Sequence, residues 1–159
     1  MTADASVGSV DNLPLFRQFQ TQKMDKLRML ARRLRFEPGQ TIFREGDASS
    51  LFYVVVSGHV ALELGGAGPA LRVQIVGPGD EFGWSALLPG RGKHFQARTM
   101  DAVEALAFEG SELLAVCRED PAFGFELMQH LLGLVADRLA ATRVQLSDFY
   151  SPHAKRAGA

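Results

Sequence analysis

Four histidines, one cysteine and 18 acidic residues are what this chain of 159 could use for acid–base, nucleophilic or metal chemistry. Their placement argues against all three. His59, His94, His130 and His153 are scattered and lack the close pairing of a zinc or iron site. Cys117 follows Leu113, Leu114 and Val116 on a predicted short helix, so it reads as a packed thiol rather than a nucleophile. Glu45 and Asp47 flank Gly46 in a turn and read as solvated turn residues. Gly65, Gly66 and Gly68 could suggest a phosphate loop, but no Lys-Ser/Thr ending or helix follows them. The expectation is a protein that is not an enzyme and uses no cofactor or metal.

Composition narrows the partners. The 17 basic and 18 acidic residues give a net charge of -1 and form no block of five of one sign, so no polyanion-binding footprint is present. The longest uncharged apolar stretch, Leu51 to Leu62, is broken by Ser57-Gly58-His59 and falls short of the ~18 residues of a membrane span. The N-terminus carries Asp4 and no apolar signal segment follows. With a single cysteine, these features lead to the expectation of a cytoplasmic protein without membrane contact. The length fits one domain, expected over 13–150, with a flexible leader at 1–12 and a flexible tail at 151–159.

The elements that must position any site follow from hydrophobic period. Met24, Leu27, Leu30, Ala31 and Leu34 recur at three- and four-residue steps and predict an amphipathic helix over Thr21–Leu34. From Phe36 the pattern becomes short apolar segments divided by Gly and Pro, including LFYVVV, VALEL, LRVQIV, FQARTM and VEALAF. Such spacing predicts an antiparallel β sandwich or barrel, so the fold is mainly β with flanking helices. Ser57-Gly58 suggests a tight hairpin and Gly65 to Pro69 a looser one. Helical period returns after Gly110, with Ser111 as a plausible N-cap and Pro121 at the start of a last helix running to about Tyr150. Along it Met128, Leu132, Val135, Leu139, Thr142, Leu146 and Phe149 alternate at steps of four and three, a heptad seam suited to a homodimer. A second row, Leu127, Leu131 and Leu134, fades at Arg138, so the first half of this helix is expected to pack on the β core.

The motif order resembles the cyclic nucleotide-binding domain family. Phe36-Glu37-Pro38-Gly39 with Ile42 to Asp47 looks like its opening strand pair, Phe52 to Val60 resembles its central hairpin, and Val76 to Gly83 matches the approach to its phosphate-binding cassette. The resemblance covers roughly Leu13 to Leu146 and implies an eight-stranded antiparallel jelly roll, or double-stranded β-helix, with an N-terminal helix and a long C-terminal helix. It also implies that a short helix after Phe-Gly turns its backbone N–H groups to a cyclic phosphate, that a Glu at its start accepts the ribose hydroxyl, and that an Arg about ten residues on pairs with the phosphate.

The cassette of this chain departs from that pattern. Phe82, Gly83, Ala86, Leu87 and Leu88 keep the scaffold, with Ser85 at the helix start, but Trp84 occupies the place of the ribose-binding Glu, and an indole accepts no hydrogen bond from a hydroxyl. Lys93 falls near the place of the phosphate Arg, followed by His94 and Phe95 where small residues belong. Losing one hydrogen bond to a charged group costs about 1.5–3 kcal/mol, ~10- to 150-fold in affinity, so tight binding of cyclic AMP or cyclic GMP is not expected. Two readings remain beside true cyclic-nucleotide sensing. Phe82 to Ala86 with Lys93, His94 and Phe95 form a pocket for another small anionic ligand, or these side chains fill the pocket and leave a ligand-free interaction module acting on an effector protein. Lys155-Arg156 is too small a basic feature to read DNA, so no direct DNA binding is expected. The family layout also implies that the long helix lies over the pocket mouth and responds to it.

Overall fold

The computed structural model describes residues 13–17, 19, 21–65 and 68–150. The expected leader 1–12, the tail 151–159 with His153, Lys155 and Arg156, and Gly66 lie outside the described residues. Two helices, α1 (Pro14–Arg17) and α2 (Thr21–Leu30), precede eight strands: β1 (Arg32–Phe36), β2 (Thr41–Phe43), β3 (Leu51–Ser57), β4 (Val60–Leu64), β5 (Leu71–Val76), β6 (Glu81–Phe82), β7 (Gln96–Thr99) and β8 (Val103–Glu109). A single 3-10 turn, Trp84–Leu87, sits between β6 and β7, and α3 (Gly110–Glu119) and α4 (Pro121–Tyr150) close the chain.

The strands form two antiparallel four-stranded sheets, ordered β1-β8-β3-β6 and β2-β7-β4-β5. This is the jelly roll that the glycine punctuation and the family resemblance imply. Between the sheets lies one apolar cluster that includes Phe43, Tyr53, Val55, Val60, Leu62, Val76, Phe82 and Ala97. On the other face of the first sheet, Phe108 packs on Phe16 at 6.3 Å and on Phe52 at 6.2 Å between ring centres. That face is covered by apolar helix residues, among them the fully buried Leu27 and Leu113. The chain divides into two compact units, one ending at Phe125 and one starting at Glu126; the described part of the second is the remainder of α4.

Three local expectations are corrected. The first helix ends at Leu30, not Leu34, because Arg32–Phe36 pairs residue for residue with Val103–Ala107. Leu34 and Phe36 then point to the apolar cluster, while Arg33 and Arg35 on the opposite face both meet Glu104. Ser57-Gly58 is no hairpin, since β3 and β4 belong to different sheets. It is a corner from one sheet to the other. Gly58 has φ 83° and lies so close to Ala102 and Asp101 that any β-carbon would clash, and His59 is held by Asp101 through its backbone N–H at 2.7 Å and its Nδ1 at 2.8 Å. Finally, α3 starts at Gly110, so Ser111 lies inside its first turn and Glu109 occupies the preceding position. The looser turn after Leu64 does join an antiparallel pair, β4 with β5.

Candidate functional site

The cassette is built where β6 ends. The turn before it is tied by Gly77 N–H to Asp80 Oδ2 at 2.9 Å and by Val55 N–H to the Asp80 carbonyl at 2.9 Å. Pairing of Tyr53 with Phe82 places Phe82 in the roll, stacked on Tyr53 with ring centres 4.8 Å apart. Gly83, at φ 78°, turns the chain into the 3-10 segment Trp84–Leu87. Ser85 is buried and its Oγ is 2.7 Å from Ser49 Oγ, while Ala86 packs against Gly110 at the start of α3.

The second arm of the cassette returns along the β2–β3 loop. Lys93 N–H donates to the Asp47 carbonyl and Gly46 N–H to the Lys93 carbonyl, both at 2.9 Å. This clamp sends the Lys93 side chain into the roll. Only 5% of Lys93 is exposed. Its Nζ donates to the Leu51 carbonyl at 2.8 Å and to the Gly83 carbonyl at 3.4 Å, and sits 4.5 Å from the Phe43 ring centre and 5.8 Å from that of Tyr53. Carbonyl dipoles and ring faces are what a buried ammonium needs in place of a counter-ion. Burial still pulls its pKa down to about 8. Burial, followed by the negative charge of Glu109, pushes Tyr53 up to about 12.

The predicted ligand-binding residues therefore divide. Phe82, Gly83, Ser85, Ala86 and Lys93 gather at the inner end of the cassette. Trp84 and His94 stack on each other instead, with ring centres 5.6 Å apart, and His94 is exposed. Phe95 packs partly buried against the apolar cluster. Sequence reasoning missed Phe43 and Tyr53: both stand in apolar segments, TIF and LFYVVV, whose unbroken apolar character does not say which side chains turn inward. It also missed Ser49 and Glu109. Glu109 Oε2 is buried without a hydrogen-bond partner among the described residues. No group of histidine, cysteine and carboxylates able to hold a metal occurs among the described residues, and burial raises the Cys117 thiol, which weakens it as a nucleophile.

On α4, Met128, Leu132, Leu139, Leu146 and Phe149 of the predicted seam are exposed, and Val135 and Thr142 are half-buried. Thr142 Oγ1 donates to the Arg138 carbonyl at 2.9 Å, which satisfies its hydroxyl within the helix.

Residues 33–120 match the profile described as "Cyclic nucleotide-binding domain", and this stretch holds both sheets and the whole cassette. The chain belongs to the cyclic nucleotide-binding domain family. Over 131 residues it is 34% identical to the cyclic AMP receptor protein of Thermus thermophilus, an alignment that covers 80% of this chain and 54% of the relative. Among solved structures, the Thermus thermophilus catabolite activator protein superposes with a TM-score of 0.71 at 28% identity, covering 86% of this chain and 63% of that one. The N-terminal domain of a Streptomyces coelicolor transcriptional regulator gives 0.65 at 26% identity, covering 87% and 94%. The chain spans about half the length of the Thermus receptor protein. No helix among the described residues is long and apolar enough to cross a membrane.

Proposed function

We propose that this chain is a homodimeric regulatory domain of the cyclic nucleotide-binding family whose cassette is occupied by its own Lys93, so that it works as an interaction module without cyclic AMP or cyclic GMP. One observation carries this reading: the Lys93 ammonium, where the resemblance puts the phosphate-binding Arg, is spent on the Leu51 and Gly83 carbonyls and the Phe43 ring. A phosphate would have to pull it away from these partners. Trp84, stacked on His94, also offers no acceptor to a ribose hydroxyl. The Thermus relative is named for cyclic AMP. This chain is expected to differ from it: calorimetric titration with cyclic AMP and cyclic GMP gives no dissociation constant below about 100 μM, a binding free energy weaker than about −5.5 kcal/mol. Low-micromolar binding of either overturns the proposal.

A second reading is favoured by Glu109. Its buried, unpartnered Oε2 on the strand that carries Ala105 and Ala107 into the core could accept a hydrogen bond from a small donor-bearing molecule. Native mass spectrometry of the purified chain decides between the two: a bound compound at stoichiometric level favours the sensor, the bare mass favours the self-occupied module.

Output in this proposal runs along α4 to a partner protein. Ala86 of the cassette abuts Gly110 of α3, and Cys117 of α3 abuts Gly124 in the first turns of α4. These close backbone contacts give a rigid path on which a shift of the cassette would be passed on. The exposed seam is the dimer surface. Leu139→Asp and Leu146→Asp place charge on it at positions 54% exposed in the single chain, so neither variant should unfold. Sedimentation should show the native mass halved in both variants, and a wild-type chain that sediments as a monomer refutes the dimer.

A further inference from the structure

The outward face of the second sheet carries an arrangement that the cassette does not use. Register places Ala61 between Ile75 and Arg98, and Glu63 between Arg72 and Gln96, on the face opposite the core residues Val60, Leu62 and Ala97. An open cleft of about 210 Å³ lies there, lined by Ala61, Glu63, Arg72 and Arg98 of the sheet, with Gly39 and Met100 at its margin.

Glu63 is the unusual residue. It is only 2% exposed although it points away from the core, and its Oε1 accepts from Arg98 Nε at 3.2 Å and Nη2 at 3.0 Å. Nη2 also reaches Oε2 at 3.4 Å. This fork-to-carboxylate contact fixes the plane of the Arg98 guanidinium and leaves Nη1 without an acceptor among the described residues, on a side chain that remains 47% exposed. An ion pair with one partner buried and the other half in water adds little net stability, so stability alone is a weak reason for it. Arg72, exposed on the neighbouring strand, lines the same cleft, and its guanidinium has no ion-pair or hydrogen-bond partner among the described residues. The two guanidiniums and one carboxylate leave the cleft one positive charge in excess. Ala61 and Gly39 leave the floor low enough for an uncharged body beside the charge.

We infer that this cleft is a binding site for a small organic oxyanion, a carboxylate or phosphate monoester, held between Arg72 and the Glu63-oriented Arg98. The ligand class follows from the donors: planar N–H groups match the paired oxygens of either anion. The site is separate from the cassette and stands whether or not Lys93 fills that pocket.

The test is an NMR titration of the full chain, following the arginine Nε–H signals while sodium phosphate or citrate replaces chloride at constant ionic strength. Saturable shifts of both Arg72 and Arg98, with a dissociation constant below about 1 mM for at least one anion, are expected. The two arms separate phosphate from carboxylate preference. Arg72→Gln should weaken binding about tenfold or more while leaving the melting temperature unchanged, because the side chain is exposed and unpaired. Shifts that rise linearly with both anions, or an Arg72→Gln variant that binds as the wild type does, overturn the inference.

Discussion

Lys93→Ala is expected to destabilise the domain by about 3 kcal/mol, because it removes a side chain of core volume from between Phe43 and Tyr53 and strips two carbonyls of their donor. For a chain of this size that lowers Tm by roughly 6–12 °C, read by calorimetry. A surface lysine would move it by a small fraction of that. The Leu51 and Gly83 carbonyls belong to β3 and to the cassette turn, so the same substitution should unpin the cassette and speed amide exchange over residues 83–88 more than over β8. Unchanged exchange there would show that Lys93 does not hold the cassette.

The buried ammonium also sets a pH signature. Its folded pKa of about 8 lies below the ordinary 10.5, so between these values the unfolded chain binds more protons than the folded one, and stability rises with pH across that window. Tyr53 acts in the opposite sense and later. With its pKa raised from 10.0 to about 12, the unfolded chain loses the proton first, and stability falls as pH climbs from 10 towards 12. Denaturant unfolding at a series of pH values should therefore show a rise above pH 8 and a fall above pH 10. Lys93→Met should flatten the rise, and Tyr53→Phe should remove the fall. A Lys93→Met profile that superposes on wild type would place the ammonium in water.

Gly110→Ala is the second large effect. A β-carbon there would run into the Ala86 carbonyl oxygen and lie 2.7 Å from the carbonyl carbon, both backbone atoms with no flexible side chain to yield. Gly110 N–H also donates to the Ser50 carbonyl at 2.8 Å, which prevents the start of α3 from backing away. About 3 kcal/mol of destabilisation is expected from such forced overpacking. If a folded variant is recovered, α3 and the cassette must have separated. Amide exchange should then quicken in Trp84–Leu87 and in Gly110–Glu119 together, while the β4–β5 pair stays protected. Quickening in only one of the two segments would break the proposed path from the cassette to α4.

How far the sequence could be read depended on the range of the interaction involved. Strands β3, β4, β5, β7 and β8, the looser β4–β5 turn and the extent of α4 to Tyr150 were legible because each leaves its mark within a few neighbouring residues, as an apolar run, a glycine, or a heptad step. Arg32–Phe36 was misread because Leu34 continues the helical spacing of Leu27 and Leu30, and only its partner Val103–Ala107, some seventy residues on, makes it a strand. Ser57-Gly58 has the local chemistry of a hairpin. Its flanking strands nevertheless find better partners in opposite sheets, with Gly58 pressed against Ala102.

The candidate site shows the same division. Sequence by itself determined which residue types stand there: an indole at Trp84 and an ammonium at Lys93, at places where the family resemblance implies a carboxylate and a guanidinium. That already argued against family-like cyclic-nucleotide binding, since donor and acceptor capacity is a property of the side chain alone. Where the ammonium points was not in the sequence. Its direction depends on carbonyls at Leu51 and Gly83 and on rings at Phe43 and Tyr53, which only the closing of the two sheets brings within reach of one another. The pairing of Glu63 with Arg98 on the outer face arises in the same way, from the register of β4 against β7. A side chain's chemistry is local, whereas its partners are chosen by the fold.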